Sequence, residues 1–389
     1  MSGLDSNFHI GDKVVYPNHV AVALLFFLSL AGCRRESADV HPFLTEPFPE
    51  KLSEWRLFIA SAPTLTPNKG VIPYDLNTPL FSDYASKYRF VWMPAGTSAT
   101  YREDGVFDFP VGTILVKSFA FPVDWSPSHE HLVETRLLVH TKEGWVGLPY
   151  IWNESQTEAR LDLAPDPVPI RYADAAAKRH EFTYFIPNAN ECKQCHENNH
   201  VMLPIGPKAR NLNKDFAYAG GAANQLAYWA RAGYLRGAPE PPKVSAAAKW
   251  SDISSGTLDA RARSYLDNNC AHCHQPGGTA GYTGVDLRMS ADLRTFGICK
   301  SPNSSGRVGN LSYDLVPGHP EQSILLARME SVRPKEMMPQ IGRSVVHEPS
   351  AGILGNPGVW PFLEGSDQRV LGKFFCNSNV ADDASQPGN

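Results

Sequence analysis

The sequence predicts a multidomain α+β protein, with a β-rich, sandwich-like N-terminal domain, a middle segment built around a Cys-x-x-Cys-His motif, and an all-α C-terminal domain. Three observations lead there. Proline is abundant, 32 of 389 residues, which argues against a mainly helical chain. Residues from Glu50 to about Tyr184 run in extended, β-branched and aromatic stretches. Beyond Lys243 several short segments carry a 3.6-residue apolar period instead.

The expected boundaries follow from composition. Residues 1–32 read as a signal peptide, 33–49 as a polar, proline-rich tether and 50–184 as the β-rich domain. Residues 185–242 form the segment of the first motif, 243–376 the helical domain and 377–389 a disordered tail. Within the β-rich domain, residues 52–59 suggest a short helix, residues 111–121 a mostly buried strand and Glu134–His140 its neighbour. Lys142 to Trp145 supplies a turn into a strand from Trp145 to Trp152. Trp92, Trp125, Trp145 and Trp152 are expected in the core rather than on a sugar-binding platform. Leu226, Trp229, Ala230 and Gly233 share one helical face. Thr257 is placed to cap a helix that buries Leu258, Ala262, Tyr265 and Leu266 and ends at Cys270. Further helices are expected around Pro320–Val332 and from Ser366, with Val370, Leu371 and Phe374 buried.

The N-terminus has the marks of export. An uncharged stretch from Val20 to Gly32 is too short to span a bilayer, which takes roughly 20 apolar residues, but has the length of a signal-peptide core. Leu30-Ala31-Gly32-Cys33 matches a bacterial lipobox, so Cys33 is the expected site of lipidation, with an ordinary signal peptide as the alternative. Asp5 and Asp12 outnumber Lys13 in the preceding region, which places the expected start downstream of Met1. Arg34 after the cysteine points to the outer membrane. A net charge of −4 gives no reason to expect a nucleic-acid partner.

Seven cysteines are too few for a disulfide scaffold, but four of them fall into Cys192-Lys-Gln-Cys195-His196 and Cys270-Ala-His-Cys273-His274. About 0.004 such motifs are expected by chance in a chain of this composition, against two present. This spacing lets two sulfurs reach the two vinyl groups of one haem and sets the next histidine beneath the iron. Zinc held by the cysteine pairs, or a redox dithiol, would leave His196 and His274 unexplained. The expected cofactors are two covalently bound haem c groups, attached at Cys192, Cys195, Cys270 and Cys273 with His196 and His274 as iron ligands.

Helix, Cys-x-x-Cys-His, helix, Met-Pro loop and terminal helix is the order of parts in a class I cytochrome c, and on that order Met338, directly before Pro339, is the expected sixth ligand of the second haem. Met337, Met329 and His347 are weaker alternatives, and His272 is expected at the surface. No sixth ligand of the first haem is legible among Met93, His129, His131, His140, His180, His200 and Met202. Cys299 and Cys376, the pair left over in an oxidising compartment, are expected to form a disulfide.

Much of the chain, from about Leu52 to Cys376, resembles a family of bacterial dihaem c-type cytochromes, similar to the cytochrome part of fusions with quinoprotein glucose/sorbosone dehydrogenases. The resemblance rests on the stretches Pro73–Asp83, Phe109–Lys117, Glu134–Val139, Pro187–His196, Ile205–Asn213, Arg261–His274 and Pro276–Gly278. It implies single-electron transfer on the periplasmic side of a bacterial membrane, with a redox partner protein such as a quinoprotein-type dehydrogenase. A dihaem peroxidase with an open first haem, and a carbohydrate-binding or partner-binding module, are the competing classes.

Overall fold

The computed structural model describes residues 38–60, 65–123, 126–173, 178–303, 306–348, 353–354 and 376. The signal segment, Trp125, the helix expected from Ser366 and the tail lie outside these residues. The central element is an antiparallel meander of six strands: β1 (Ile72–Tyr74), β2 (Ser86–Trp92), β3 (Ile114–Val123), β4 (Ser126–Thr141), β5 (Gly144–Trp152) and β6 (Ala159–Leu161), paired in chain order. Isoleucine, valine and phenylalanine dominate β3, residues that fit a pleated surface buried on both sides. Among the described residues every other sheet has two strands, so the sandwich expectation reduces to one large sheet with ribbons around it. The short helix expected at residues 52–59 is a single 3₁₀ turn, Leu52–Trp55, followed by a strand at Phe58–Ala60.

Alternation along the strands divides the core. One face carries Phe90, Ile114, Val116, Leu137, Val139, Leu148 and Tyr150, and the N-terminal residues Val40, Leu52, Trp55 and Leu57 bury it. Trp92 and Trp152 pack at the margin of this cluster and Trp145 beside the opposite one. On the second face Ile72, Tyr74, Val91 and Leu115 meet Leu212, Leu226 and Trp229 from later in the chain. Farther along this face, Phe119 and Phe121 meet Ile170, Tyr172, Tyr184 and Ile186. A strip of charged residues lies between these two apolar patches.

Five α-helices occur among the described residues: α1 (Ala189–His196), α2 (Ala209–Leu212), α3 (Gln225–Arg231), α4 (Leu258–Asn269) and α5 (Ile324–Glu330). The all-α, class I cytochrome c-like domain expected at 243–376 is therefore corrected. Among the described residues only α4 and α5 stand there, joined by 3₁₀ turns and irregular loops around a core of Tyr265, Leu266, Leu287, Phe296, Leu315 and Met329. Glycine at 277, 278, 281, 284, 297, 306, 309 and 318 explains the difference. It interrupts any helix between the second motif and Pro320, and Gly277, Gly284, Gly297 and Gly318 sit at positive φ. The helix expected at Pro320–Val332 starts as a 3₁₀ turn and shortens to the seven residues of α5.

Buried polar bonds tie these late residues to the first-motif segment and to the sheet's own. Lys208 Nζ pairs with the buried Asp267 carboxylate at 2.8 Å, and Asn211 with Asn268 at 2.7 Å. Asp83 accepts from the amides of Ser344 and Val345 at 2.7 and 3.0 Å. Groups this deeply buried are costly unless paired, so the bonds fix how the second motif sits against the first.

Candidate functional site

Helix α1 begins with a capping box. Asn188 accepts from the amides of Asn190 and Glu191, and the Glu191 carboxylate accepts from the Asn188 amide at 2.9 Å. The helix then carries Cys192, Cys195 and His196 at i, i+3 and i+4, which places all three on one face. A hairpin of Glu197–Asn198 with Val201–Met202 reverses the chain through Asn199 and His200, both at positive φ. The reversal returns the Leu203 carbonyl to within 2.7 Å of His196 Nδ1. With Nδ1–H donated there, Nε2 is the nitrogen free for a metal. Desolvation, reinforced by the nearby His272, Lys117 and Arg136, brings the His196 imidazole down to about 4, so it is neutral and able to ligate at pH 7.

Strand β5 approaches α1 at Gly147. A Cβ there would lie 3.5 Å from the Cys192 Cβ and 3.2 Å from the Met202 methyl. The cleft between them, about 160 Å³, is lined by Leu115, Lys117, Arg136, Cys192, His196 and Met202 among others.

Thr257 caps α4 as expected, accepting from the Ala260 amide at 3.1 Å, and the helix buries Ala262, Tyr265 and Leu266. Its final hydrogen bond, from the Cys270 amide to the Leu266 carbonyl, leads into a turn in which the His274 amide bonds the Cys270 carbonyl. Thr283 Oγ1 donates to the Ala280 carbonyl at 2.7 Å, so it is an acceptor for His274 Nδ1–H, 3.3 Å away. His274 Nε2 is free for a metal in the same way as His196 Nε2. Burial lowers the His274 imidazole as well.

The cavity here is larger, about 400 Å³, with Leu287, Leu315, Ile324, Met329 and Met338 in its walls beside His274. That is within the range of about 300–1,000 Å³ usual for ligand pockets. Met338 lines it and Met337 does not. The loop is held by Arg343, only 5% exposed, which donates to the carbonyls of Met338, Arg328, Ser331 and Val345. Met329 belongs to the core as well as to the cavity wall. His347 stacks on Phe81 and bonds the Tyr265 hydroxyl at 3.0 Å, outside the cavity lining.

The two motifs touch. Thr279 Oγ1 donates to the Gln194 carbonyl at 2.8 Å, and the Cys273 thiol points to the same oxygen at 3.6 Å. The Asn199 amide bonds the Gly277 carbonyl at 2.8 Å. Ligand atoms of Cys195, His272 and Cys273 lie within 4.8 Å of one another. A hydrogen bond from Cys195 holds the Cys273 thiol below its ordinary value, whereas burial raises those of Cys192 and Cys270. His272 was expected at the surface, but it is 9% exposed, its Nδ1 has no partner, and it lines both cavities.

Three soft donors could begin a zinc site, which normally takes four. That reading leaves Cys192, His196, Cys270 and His274 without a role. Haem c would give each of them a role, with two cysteine pairs and two histidines anchored at Nδ1.

Of the candidates around the first motif, Met202 faces the cleft. Met93 is core, His140 stacks on Trp145, His180 stacks on Tyr172, His129 and His131 sit against each other, and His200 is exposed beside Glu197. His272 was expected at the surface, and Gly147, Thr283 and Arg343 were not singled out, since no local pattern marks a glycine under a distant helix, a hydroxyl that orients a histidine or an arginine that holds a loop. Cys299 and Cys376 are joined in a disulfide with Cα atoms 5.0 Å apart. Cys33 lies outside the described residues, and none of the described helices is long and apolar enough to cross a membrane. Comparison with protein-family models, with curated proteins and with solved structures finds no match for the chain.

Proposed function

We propose that the chain is an exported dihaem c-type cytochrome that carries single electrons between a periplasmic donor and an acceptor. The observation that supports this best is the direct contact of two Cys-x-x-Cys-His turns, each with its histidine already anchored through Nδ1. Cys192 and Cys195 would hold one haem with His196 as its ligand. Cys270 and Cys273 would hold the other between His274 and Met338. Each thioether forms by adding a cysteine S–H across a vinyl C=C, so attachment consumes no oxidant. The bound groups supply reversible one-electron iron chemistry.

The chain's own residues do the rest. Leu203 and Thr283 orient the two imidazoles, Leu287, Leu315 and Ile324 keep water from the second site, and Arg343 holds the Met338 loop. Acylation of Cys33 would tether the protein to the outer membrane on its periplasmic side. A redox protein such as a quinoprotein-type dehydrogenase is the partner such a carrier would serve.

The test is covalent haem. Denatured protein extracted with acid–acetone is expected to retain two haems by pyridine haemochromogen assay. Cys192→Ala/Cys195→Ala and Cys270→Ala/Cys273→Ala should each retain one. Stoichiometric zinc without haem would assign Cys195, His272 and Cys273 to a metal site instead. Rapid peroxide turnover with a one-electron donor would favour the peroxidase.

A further inference from the structure

The charged strip on the second face of the sheet contains a row of three cations in register. Arg89 on β2 is directly opposite Lys117 on β3, and Lys117 is directly opposite Arg136 on β4. The next residue in the row is Pro149 on β5, two positions from Gly147 on the same face. Like charges directly opposite each other across strands are destabilising, and burial makes the repulsion worse. The available carboxylates do not balance them. Glu134 is taken by a two-pronged bond from Arg136 at 2.6 and 2.7 Å. Asp75 is shared between Arg89 Nη1 and Lys214 Nζ, both at 2.9 Å.

Two donors are left among the residues that line the cleft. Arg89 is 5% exposed and its Nη2 has no partner. Lys117 Nζ lies over the Phe119 ring at 4.6 Å. Burial, with Arg89, Lys87 and Arg136 adding to it, pushes the Lys117 ammonium well below its ordinary value. All three cations line the cleft that holds Cys192, Cys195 and His196. Such a row is costly unless an anion completes it.

We propose that Lys117 and Arg89 receive the two propionate carboxylates of the haem attached at Cys192 and Cys195. The group would then lie along the sheet with its thioether end over Gly147 and its acidic end over β3 and β2. From β5 to β2 is three strand spacings, about 14 Å, a span on the scale of a porphyrin with its carboxylate arms. Gly147 adds no side chain at the near end, where Cys192 and the Met202 methyl approach it, and the cation row ends the bed. The inference rests on the dihaem reading above.

The experiment uses the full-length protein with Lys117→Gln, Lys117→Arg and Arg89→Lys substitutions. Haem content, the two midpoint potentials and the propionate bending band in resonance Raman spectra are measured. Lys117→Gln is expected to keep both haems, lower one of the two potentials and displace the propionate band. Lys117→Arg should restore both signals towards wild type. Arg89→Lys, which keeps a cation beside Asp75, should move the same potential by less, and it serves if Lys117→Gln does not fold. Two retained haems with both potentials and the band unchanged would overturn the proposal while leaving the dihaem reading intact. So would stabilisation of wild type by added inorganic phosphate that Lys117→Gln abolishes, since the row would then serve a free anion. A wild-type protein without covalent haem would remove the dihaem reading and this inference together.

Discussion

Thr279, six residues beyond Cys273, donates its hydroxyl to the carbonyl of Gln194, which stands between the two cysteines of the other motif, at 2.8 Å. A single bond of this kind links the two sites through one turn of backbone, and the neighbouring contact from Asn199 to Gly277 closes it from the other side. With a haem at each motif, the two irons are expected to behave as one unit, with the midpoint potential of each depending on whether the other is reduced. Potentiometric titration followed at a wavelength selective for one haem measures this, and two independent one-electron curves would contradict it.

Gly277 is where that junction is most vulnerable. Its φ of 79° suits glycine, and a Cβ would stand 2.5 Å from Asn199 Oδ1. Gly277→Ala should lower unfolding stability by about 1–3 kcal/mol and reduce the interaction between the two potentials, with both haems still attached. Denaturant unfolding and the same titration report the two effects.

Met338→Ala should abolish the far-red band of a sulfur-to-iron bond and lower one potential only. Arg343→Ala should do part of the same from a distance. It strips a buried guanidinium from four carbonyls, and an unsatisfied buried group costs roughly 1–3 kcal/mol. A stability loss of about 3 kcal/mol and a weakened band are expected. An unchanged band in Arg343→Ala would mean that the loop holds itself.

Asp259, in the first turn of α4, gives the protein a predictable pH response. Burial raises its carboxyl to about 6, only partly offset by Arg263, against an ordinary unfolded value near 3.9. The folded state thus binds this proton more tightly than the unfolded one. Its contribution is fully present below about pH 4 and is lost as pH rises through 6. Asp259→Asn should therefore gain about 1 kcal/mol at pH 8, after allowance for solvent screening, and nothing at pH 4. Urea midpoints at the two pH values decide it.

The mature protein is expected to begin at an acylated Cys33, seen by intact-mass measurement of detergent-extracted material. At about 0.8 kcal/mol per buried CH₂, two or more chains would hold it in the membrane fraction, and Cys33→Ala should move it to the soluble one. A soluble wild type beginning at another residue would contradict the anchor.

What could be read from sequence was what is local. The strand over residues 114–121, its partner and the turn at Lys142 follow from alternation and turn chemistry, and the Thr257 cap from its position before an apolar period. The donor sets followed from a five-residue pattern. The helical C-terminal domain was over-read: the helix before Cys270 forms, but the one expected at Pro320–Val332 shortens to Ile324–Glu330, and among the described residues irregular loops fill the rest. The row of Arg89, Lys117 and Arg136 could not be seen at all. Each is an ordinary charged residue in its own strand, and only the register of three strands makes them neighbours. His272 was misplaced for the same reason: its burial comes from the first motif, 76 positions earlier.

The meeting of Gln194 with Thr279 and Cys273 also bears on the order of assembly that two haems would require. The sheet ends at Leu161, so its platform is complete in the chain before Cys192 emerges, and the second motif arrives last and closes over Cys195. Once docked, the sulfurs of Cys195 and Cys273 lie within the same 4.8 Å cluster. If each motif holds a haem, the first would be attached before the latter half docks, and slow docking of that half would then be an asset during biogenesis.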